Sequence, residues 1–269
     1  MVRFSLVTIC YNAESLIAET MESVLRQDAG VGFEYIIVDG ASKDRTFAIA
    51  RSYEQKFAAK GISLRCYSEP DNGISDAFNK GILHAEGEIV GLVNAGDCLT
   101  KDALKVLNEA YAEDVDIFYG NILWVDKEQG VQYTRHSSAD VSALRFTMPI
   151  MHPACYIRKT AYETVGMYKT DFRYAMDREL LARMWKAGRR FKFINHVFSE
   201  MSAGGVSDSS AYNSQRKAES RSIALACGVS PLLFEYVYAK GKLQYHLIKA
   251  LKKHPQLFLW LRGLRAQKS

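Results

Sequence analysis

Three carboxylates close three apolar runs. Asp39 ends FEYIIVD, Asp71 follows the run ISLRCYSEP together with Glu69, and Asp97 ends EIVGLVNAGD. A carboxylate at the carboxyl end of a strand either caps the following turn, where Asp is a favoured residue, or holds a metal ion. One such Asp is a cap. Three converging on one edge repel one another unless a cation or hydrogen-bond donors stand between them, which makes them a candidate site. Thr8, with Tyr11 and Asn12, closes a fourth run, VRFSLVTIC.

The elements that must position these residues follow from periodicity. Arg3–Ile9, Phe33–Val38, Ile62–Tyr67 and Glu88–Val93 have strand character. Between them lie helical periods after Asn12, over 44–59 and over 75–85. Strands alternating with helices of this length predict βαβ units and a parallel sheet, in which ligands bind beyond the carboxyl ends of the strands. After Asp97 the rhythm loosens. Strands are predicted at 116–125, 131–134 and 191–194, a helix at 174–187 and, beyond the Gly204–Ser207 stretch, helices only.

Composition excludes several classes. The chain has 269 residues, 48% hydrophobic and 24% charged, enough for one large domain with or without an appendage. Five scattered cysteines without a CxxC pair argue against a disulfide framework or zinc cluster and for a reducing compartment, so a cytoplasmic protein is expected. No run reaches the roughly 18 apolar residues of a membrane-spanning helix.

The stretches TICYN (8–12), DGASKDRT (39–46), EPDNGISDAFNKGI (69–82), VNAGD (93–97) and MDRELLAR (176–183) resemble family-two glycosyltransferases. The GISDAFNKG element is most similar to a bacterial branch that builds O-antigens and other surface polysaccharides. The resemblance implies an α/β GT-A fold, Rossmann-like with a mostly parallel central sheet. It also implies an inverting transfer of a sugar from a nucleoside diphosphate, with UDP expected, to a saccharide carried on a polyprenyl diphosphate. On this resemblance Thr8, Tyr11 and Asn12 lie against the base and Asp39 accepts from its N–H. A carboxylate there selects uracil over cytosine, whose ring nitrogen carries no hydrogen. Asp71, Ser42, Lys80 and Asn94 join the donor contacts. Asp97 takes the metal position, for which oxygen ligation suits Mn²⁺ or Mg²⁺, and Asp177 takes the position of the base. Asn94 and Gly96 stand where many relatives carry further aspartates, so metal binding without donor is expected to be weak. His152 and Asp76 are candidate contacts to acceptor or phosphate. Asp76 with Lys80 also reads as an ordinary i,i+4 ion pair, and Arg183 reads as a structural partner.

The resemblance ends near residue 185, and the catalytic domain is expected to span 1–205. The rest, 206–269, is predicted as a helical extension. From Pro231 onward it has eight lysines and arginines against Glu235 alone, a net +7, so the preceding 230 residues carry −2 of the total +5. Phe234, Val237, Tyr238, Tyr245 and Ile248 recur at helical spacing, and Phe258, Trp260 and Leu261 lie beside Arg262 and Arg265. A basic, aromatic-rich amphipathic segment suits an anionic membrane surface rather than nucleic acid. The expected location is the inner face of the cytoplasmic membrane. The alternatives are a packing element or oligomer contact for the tail. For the whole chain they are a nucleotidyltransferase, though TICYNAES lacks the glycine and lysine of a phosphate loop, or a non-catalytic sugar-nucleotide-binding subunit.

Overall fold

The computed structural model describes residues 3–202 and 214–252. The chain divides into two compact units, Met1–Ala211 and Tyr212–Ser269. The first opens as the alternating periods predict, with β1 (Phe4–Cys10), α1 (Ile17–Leu25), β2 (Phe33–Asp39), α2 (Thr46–Ser52), α3 (Glu54–Ala59), β3 (Ser63–Ser68), α4 (Ile74–His84) and β4 (Ile89–Leu92). The single helix expected over 44–59 is two. Ser52 turns its hydroxyl back onto the Ile49 carbonyl at 2.7 Å, a local bond that competes with the helical ladder just before the break at Tyr53.

Strands β3, β2, β1 and β4 lie side by side in that order, all parallel, so their carboxyl ends share one edge. Side chains alternate across a strand. On one face Phe4, Leu6, Cys10, Tyr35 and Ile37 form a core with Ile17 and Met21 of α1, Ala50 of α2, Tyr53 at the break and Phe57 of α3. On the other face α4 approaches through Gly81, where a Cβ would stand 2.2 Å from Val7 Cγ1. Only a residue without a side chain brings α4 that close to the sheet.

The remaining elements are β5 (Cys98–Leu99), α5 (Ala103–Glu109), β6 (Ile117–Asp126), β7 (Val131–Arg135), 3-10 turns at Val141–Arg145 and His152–Ala154, β8 (Cys155–Arg158), α6 (Lys159–Val165), α7 (Met176–Lys186) and β9 (Phe191–Ser202). β8 is inserted antiparallel between β4 and β6, β6 runs parallel to β9, and β7 forms a hairpin on β6. The parallel character expected therefore belongs to the first four strands and to the β6–β9 pair. The short strand expected at 191–194 continues to Ser202. Its pairing with β6 shifts register around Asn121, where Asn121 Nδ2 donates to Asn195 Oδ1 at 3.1 Å. The irregularity breaks the alternation that sequence periodicity depends on.

Away from the carboxyl edge, Glu34 is 2% exposed and accepts from Ser5 Oγ (2.5 Å) and from the Glu86 and Gly87 N–H groups (2.6 and 3.2 Å), with an ion pair to Arg65. Burial pushes its pKa up, but the Ser5 and Glu86 bonds and the Arg65 charge outweigh this and hold it below the ordinary value. A group depressed in this way stabilises the fold above its unfolded pKa, and the contribution is lost as pH falls through the folded value. Glu34→Gln is expected to cost about 2–3 kcal/mol at pH 7, somewhat less than breaking a fully buried pair because Arg65 is partly exposed. Denaturant unfolding at pH 7 and pH 4 checks it. The difference from wild type must shrink at the lower pH, and equal stabilities at pH 7 would refute it.

In the second unit α8 (Ser214–Ala226) and α9 (Pro231–Lys252) are the helices expected there. α8 stops at Gly228, whose φ of +82° and the Val229 N–H to Ala224 carbonyl bond form a C-terminal cap. Lys217 pairs with Glu235 at 2.7 Å. The expected boundary at 205/206, the Gly204–Ser207 stretch and the 257–265 aromatic and basic cluster lie outside the described residues.

Candidate active site

The loops after β1 and β2 are stapled to one another. Asn12, at φ +47°, accepts from the Lys43 N–H (2.9 Å) and donates its own N–H to Ser42 Oγ (2.8 Å). Ala13 N–H donates to Thr46 Oγ1 and Glu14 N–H to Asp44 Oδ2. Asn12 and Ser42 thus build the rim, and Tyr11 stands exposed on it. Asp39 is fully buried, its Oδ2 accepting from the Ser42 N–H (3.0 Å) and Ser68 Oγ (2.6 Å). Thr8 corrects the sequence reading. It lies on the core face of β1 between Leu6 and Cys10, its hydroxyl 2.8 Å from the buried Tyr35 hydroxyl, so its side chain does not reach the edge.

Asp71 comes to the same rim. Its Oδ1 accepts from the Gly73 N–H, and its Oδ2 would be 2.4 Å from a Cβ at Gly40, with Tyr11 Cδ2 at 3.4 Å from that point. Gly40 therefore lets Tyr11 and Asp71 meet over the end of β2. Asp76 and Lys80 clasp the 69–73 loop onto α4. Asp76 Oδ2 accepts from the Asn72 N–H (2.9 Å), and Lys80 Nζ donates to the Pro70 carbonyl (2.6 Å) with the Glu69 and Asp76 carboxylates both at 3.6 Å.

At the end of β4, Asp97 N–H closes a turn onto the Asn94 carbonyl, with Gly96 at φ +99°. The Asp97 side chain accepts from Asn94 Nδ2 (3.1 Å) and from backbone at Ser202. Its residue is 7% exposed, and burial pushes its carboxyl up to about 6 despite those two bonds. It is not a helix cap, since α5 begins only at Ala103. Among the described residues no group of three or more His, Cys, Asp or Glu side chains gathers to hold a metal. A buried carboxylate without a positive partner among the described residues nonetheless suits a cation that brings its remaining oxygens with it. Ser202, whose hydroxyl donates to the Gly96 carbonyl at 2.9 Å, ties the end of β9 to this turn. It was missed in the sequence, which shows nothing linking residues 106 apart.

Asp177 lies in the first turn of α7. The buried Arg178 fixes that turn by donating to the Leu144 and Arg145 carbonyls, at 2.8 and 2.9 Å. Arg183 is the structural partner expected: it forks onto Glu179 and reaches the Gly166 and Met167 carbonyls. The Asp177 side chain is 34% exposed, yet its Oδ1 is buried without a hydrogen-bond partner among the described residues. His152 Nε2 is 3.8 Å from that oxygen and 2.7 Å from the Tyr168 hydroxyl. His152 is 9% exposed, so the expected contact with acceptor or phosphate is replaced by a place in the wall behind Asp177. Tyr168 escaped the sequence reading because a lone tyrosine in the stretch GMYKTD belongs to no motif and shows no periodicity.

A four-stranded parallel run with polar loops at its carboxyl edge, closed by an antiparallel strand and a mixed extension, is the architecture of a GT-A enzyme. The chain belongs to glycosyl transferase family 2, whose sequence profile matches residues 5–185. It is similar to a PGL/p-HBAD biosynthesis glycosyltransferase of Mycobacterium tuberculosis, 27% identical over 177 residues, which are 65% of this chain and 66% of that protein. It is also similar to the poly(ribitol-phosphate) β-N-acetylglucosaminyltransferase TarS of Staphylococcus aureus, 34% identical over 106 residues, 39% of this chain and 18% of TarS. The crystal structure of a TarS fragment in complex with UDP-GlcNAc superposes with a TM-score of 0.65 at 20% identity, covering 84% of this chain and 65% of that one. The mannosyltransferase PcManGT of Pyrobaculum calidifontis, in complex with GDP-Man and Mn²⁺, does so at 0.60 and 18% identity, covering 99% and 81%. The chain thus spans just under two thirds of the length of the mycobacterial protein and of the TarS fragment, and its match to full-length TarS covers 18% of that protein.

Proposed function

We propose that this chain is an inverting, metal-dependent glycosyltransferase that moves a sugar from a UDP-linked donor to a saccharide hydroxyl in surface-polysaccharide synthesis. The observation that carries the reading is Asp97, a buried carboxylate with no cationic partner among the described residues, at the ligand-binding edge of a parallel sheet. Tyr11 and Asp71, meeting over Gly40, flank the donor's nucleoside, with Asp39 enclosed beneath them. Asp76 and Lys80 hold the loop that carries Asp71. Asp97 would hold Mn²⁺ or Mg²⁺, which when bound neutralises the diphosphate and stabilises its departure. Asp177 takes the proton of the acceptor hydroxyl while that oxygen attacks the anomeric carbon opposite the leaving diphosphate, so the configuration inverts. A donor of this kind is supported by the UDP-GlcNAc bound to TarS, and the metal by the Mn²⁺ of PcManGT. A thermal-shift panel of UDP- and GDP-sugars, each with and without Mn²⁺, tests the reading. A UDP-sugar at a hundred times its dissociation constant should stabilise the fold by about 2.7 kcal/mol, and only with the metal present. A panel in which no nucleotide sugar moves the midpoint would sink it.

The acceptor in this reading is lipid-linked, and the second unit brings the enzyme to the membrane surface. No helix among the described residues is long and apolar enough to cross a membrane. Leu232, Tyr236 and Leu243 are exposed along one side of α9, with Lys240 and Lys242 exposed near them. The expected result is that the full chain binds vesicles containing anionic lipid and that added salt weakens binding without abolishing it. Charge attraction is screened over about 8 Å at physiological ionic strength, whereas apolar insertion is not. The triple variant Leu232→Ser, Tyr236→Ser, Leu243→Ser should bind several-fold more weakly. Full binding to neutral vesicles, or none to anionic ones, would reject this role.

A further inference from the structure

We propose that His152, held by Tyr168, is the positioning residue of Asp177, fixing which carboxylate oxygen meets the acceptor hydroxyl. The inference rests on Asp177 being the base. Oδ1 of Asp177 is shut away from solvent and faces the imidazole edge at 3.8 Å. The exposed part of the side chain lies elsewhere, which leaves Oδ2 as the oxygen open to a hydroxyl arriving from outside.

The imidazole is itself fixed from three directions. Its Nε2 is 2.7 Å from the Tyr168 hydroxyl, its ring packs 5.8 Å from that of Phe78, and its backbone begins the short 3-10 turn His152–Ala154. Tyr168 is held in turn by α4, where Asn79 donates to its carbonyl (2.8 Å) and accepts from its N–H (2.9 Å). Burial, reinforced by the neighbouring Asp177 charge, pushes the Tyr168 and Tyr162 hydroxyls and the Cys155 thiol far above their ordinary values, so all three keep their protons. These two hydroxyls and the thiol are therefore uncharged, buried groups behind Oδ1.

The same helix serves the donor side. Asp76 and Lys80 of α4 clasp the 69–73 loop, while Phe78 and Asn79, one turn of the same helix, grip His152 and Tyr168. A shift of the donor loop is thereby carried by a rigid element to the residue behind Asp177. A misplacement of about 1 Å at a reacting group costs up to about 10²-fold in rate, so the position of Oδ2 is a sensitive quantity.

The test uses the full-length chain and the UDP-sugar, among UDP-N-acetylglucosamine, UDP-glucose and UDP-galactose, from which the wild type releases UDP fastest in Mn²⁺. His152→Ala should lower kcat about 10- to 100-fold with donor KM within twofold, and His152→Gln, which keeps a side-chain donor, should recover part of the loss. Tyr168→Phe removes only the hydroxyl and should show a smaller kcat loss, and it stands in if His152→Ala fails to fold. Adding His152→Ala to Asp177→Asn should cost nothing further, because a group acting through Asp177 has nothing left to position. An equal loss in both backgrounds, or a raised donor KM with kcat kept, overturns the proposal. Should Asp177→Asn alone retain the wild-type rate, it is the base reading that fails. In every case the ¹⁵N resonance of His152 Nε2 must move in Asp177→Asn, and an unmoved signal overturns the coupling without any substrate.

Discussion

Asp97→Ala is expected to abolish UDP release and to remove the metal-dependent part of nucleotide binding, while the protein stays folded. The carboxylate lies at the end of β4, enclosed, and its hydrogen bonds come from a neutral amide and the chain at Ser202. A charge so enclosed costs free energy in the absence of a cation, so removing it should not lower the melting temperature of the unliganded chain. What it should remove is the upward shift that UDP with Mn²⁺ gives the wild type, several degrees at saturating ligand. Calorimetry of UDP binding with Mn²⁺ and with EDTA separates the two parts. Unchanged UDP–Mn²⁺ affinity in the variant would leave Asp97 a structural residue of the Asn94–Asp97 turn.

Asp177→Asn should leave donor binding nearly intact and lower turnover by about 10² or more, the usual scale for loss of a general base. The amide keeps the shape of the carboxylate and its place in the first turn of α7, and Arg178 still anchors that turn to the Leu144 and Arg145 carbonyls. Loss of kcat with an unchanged donor KM is the signature of an interaction made only in the transition state. Turnover near the wild-type rate would place the base elsewhere, with Glu179 excluded as its substitute because Arg183 and Lys169 already hold that carboxylate.

The parallel half of the fold was legible because each of its strands is a short apolar run followed by a helix, the arrangement that local pattern describes best. Asp39, Asp71 and Asp97 were legible as strand-end residues for the same reason, and the structure does bring Asp71 against the end of β2. The face of a strand was less so: Thr8 reads as an end residue, yet alternation turns it beneath α1. Beyond residue 100 the pattern weakens for identifiable causes. β9 carries an irregular pairing through Asn195 and His196, β8 has only four residues, and both of its neighbours in the sheet, β4 and β6, come well before it in sequence. Tyr168, Asn79 and Ser202 matter through contacts with residues far away in the chain, which neither spacing nor composition reports.

The place of β8 has a consequence for how the chain is made. β4 is buried along its whole length in the finished sheet, with β1 on one side and β8 on the other. Synthesis proceeds from the amino terminus, so β1 to β4 are complete while β8 lies roughly sixty residues ahead. During that interval the nascent sheet ends in an apolar strand with its outer backbone groups bare, the kind of edge that pairs with other chains. The strand that interrupts the parallel order is also the one that shuts this edge.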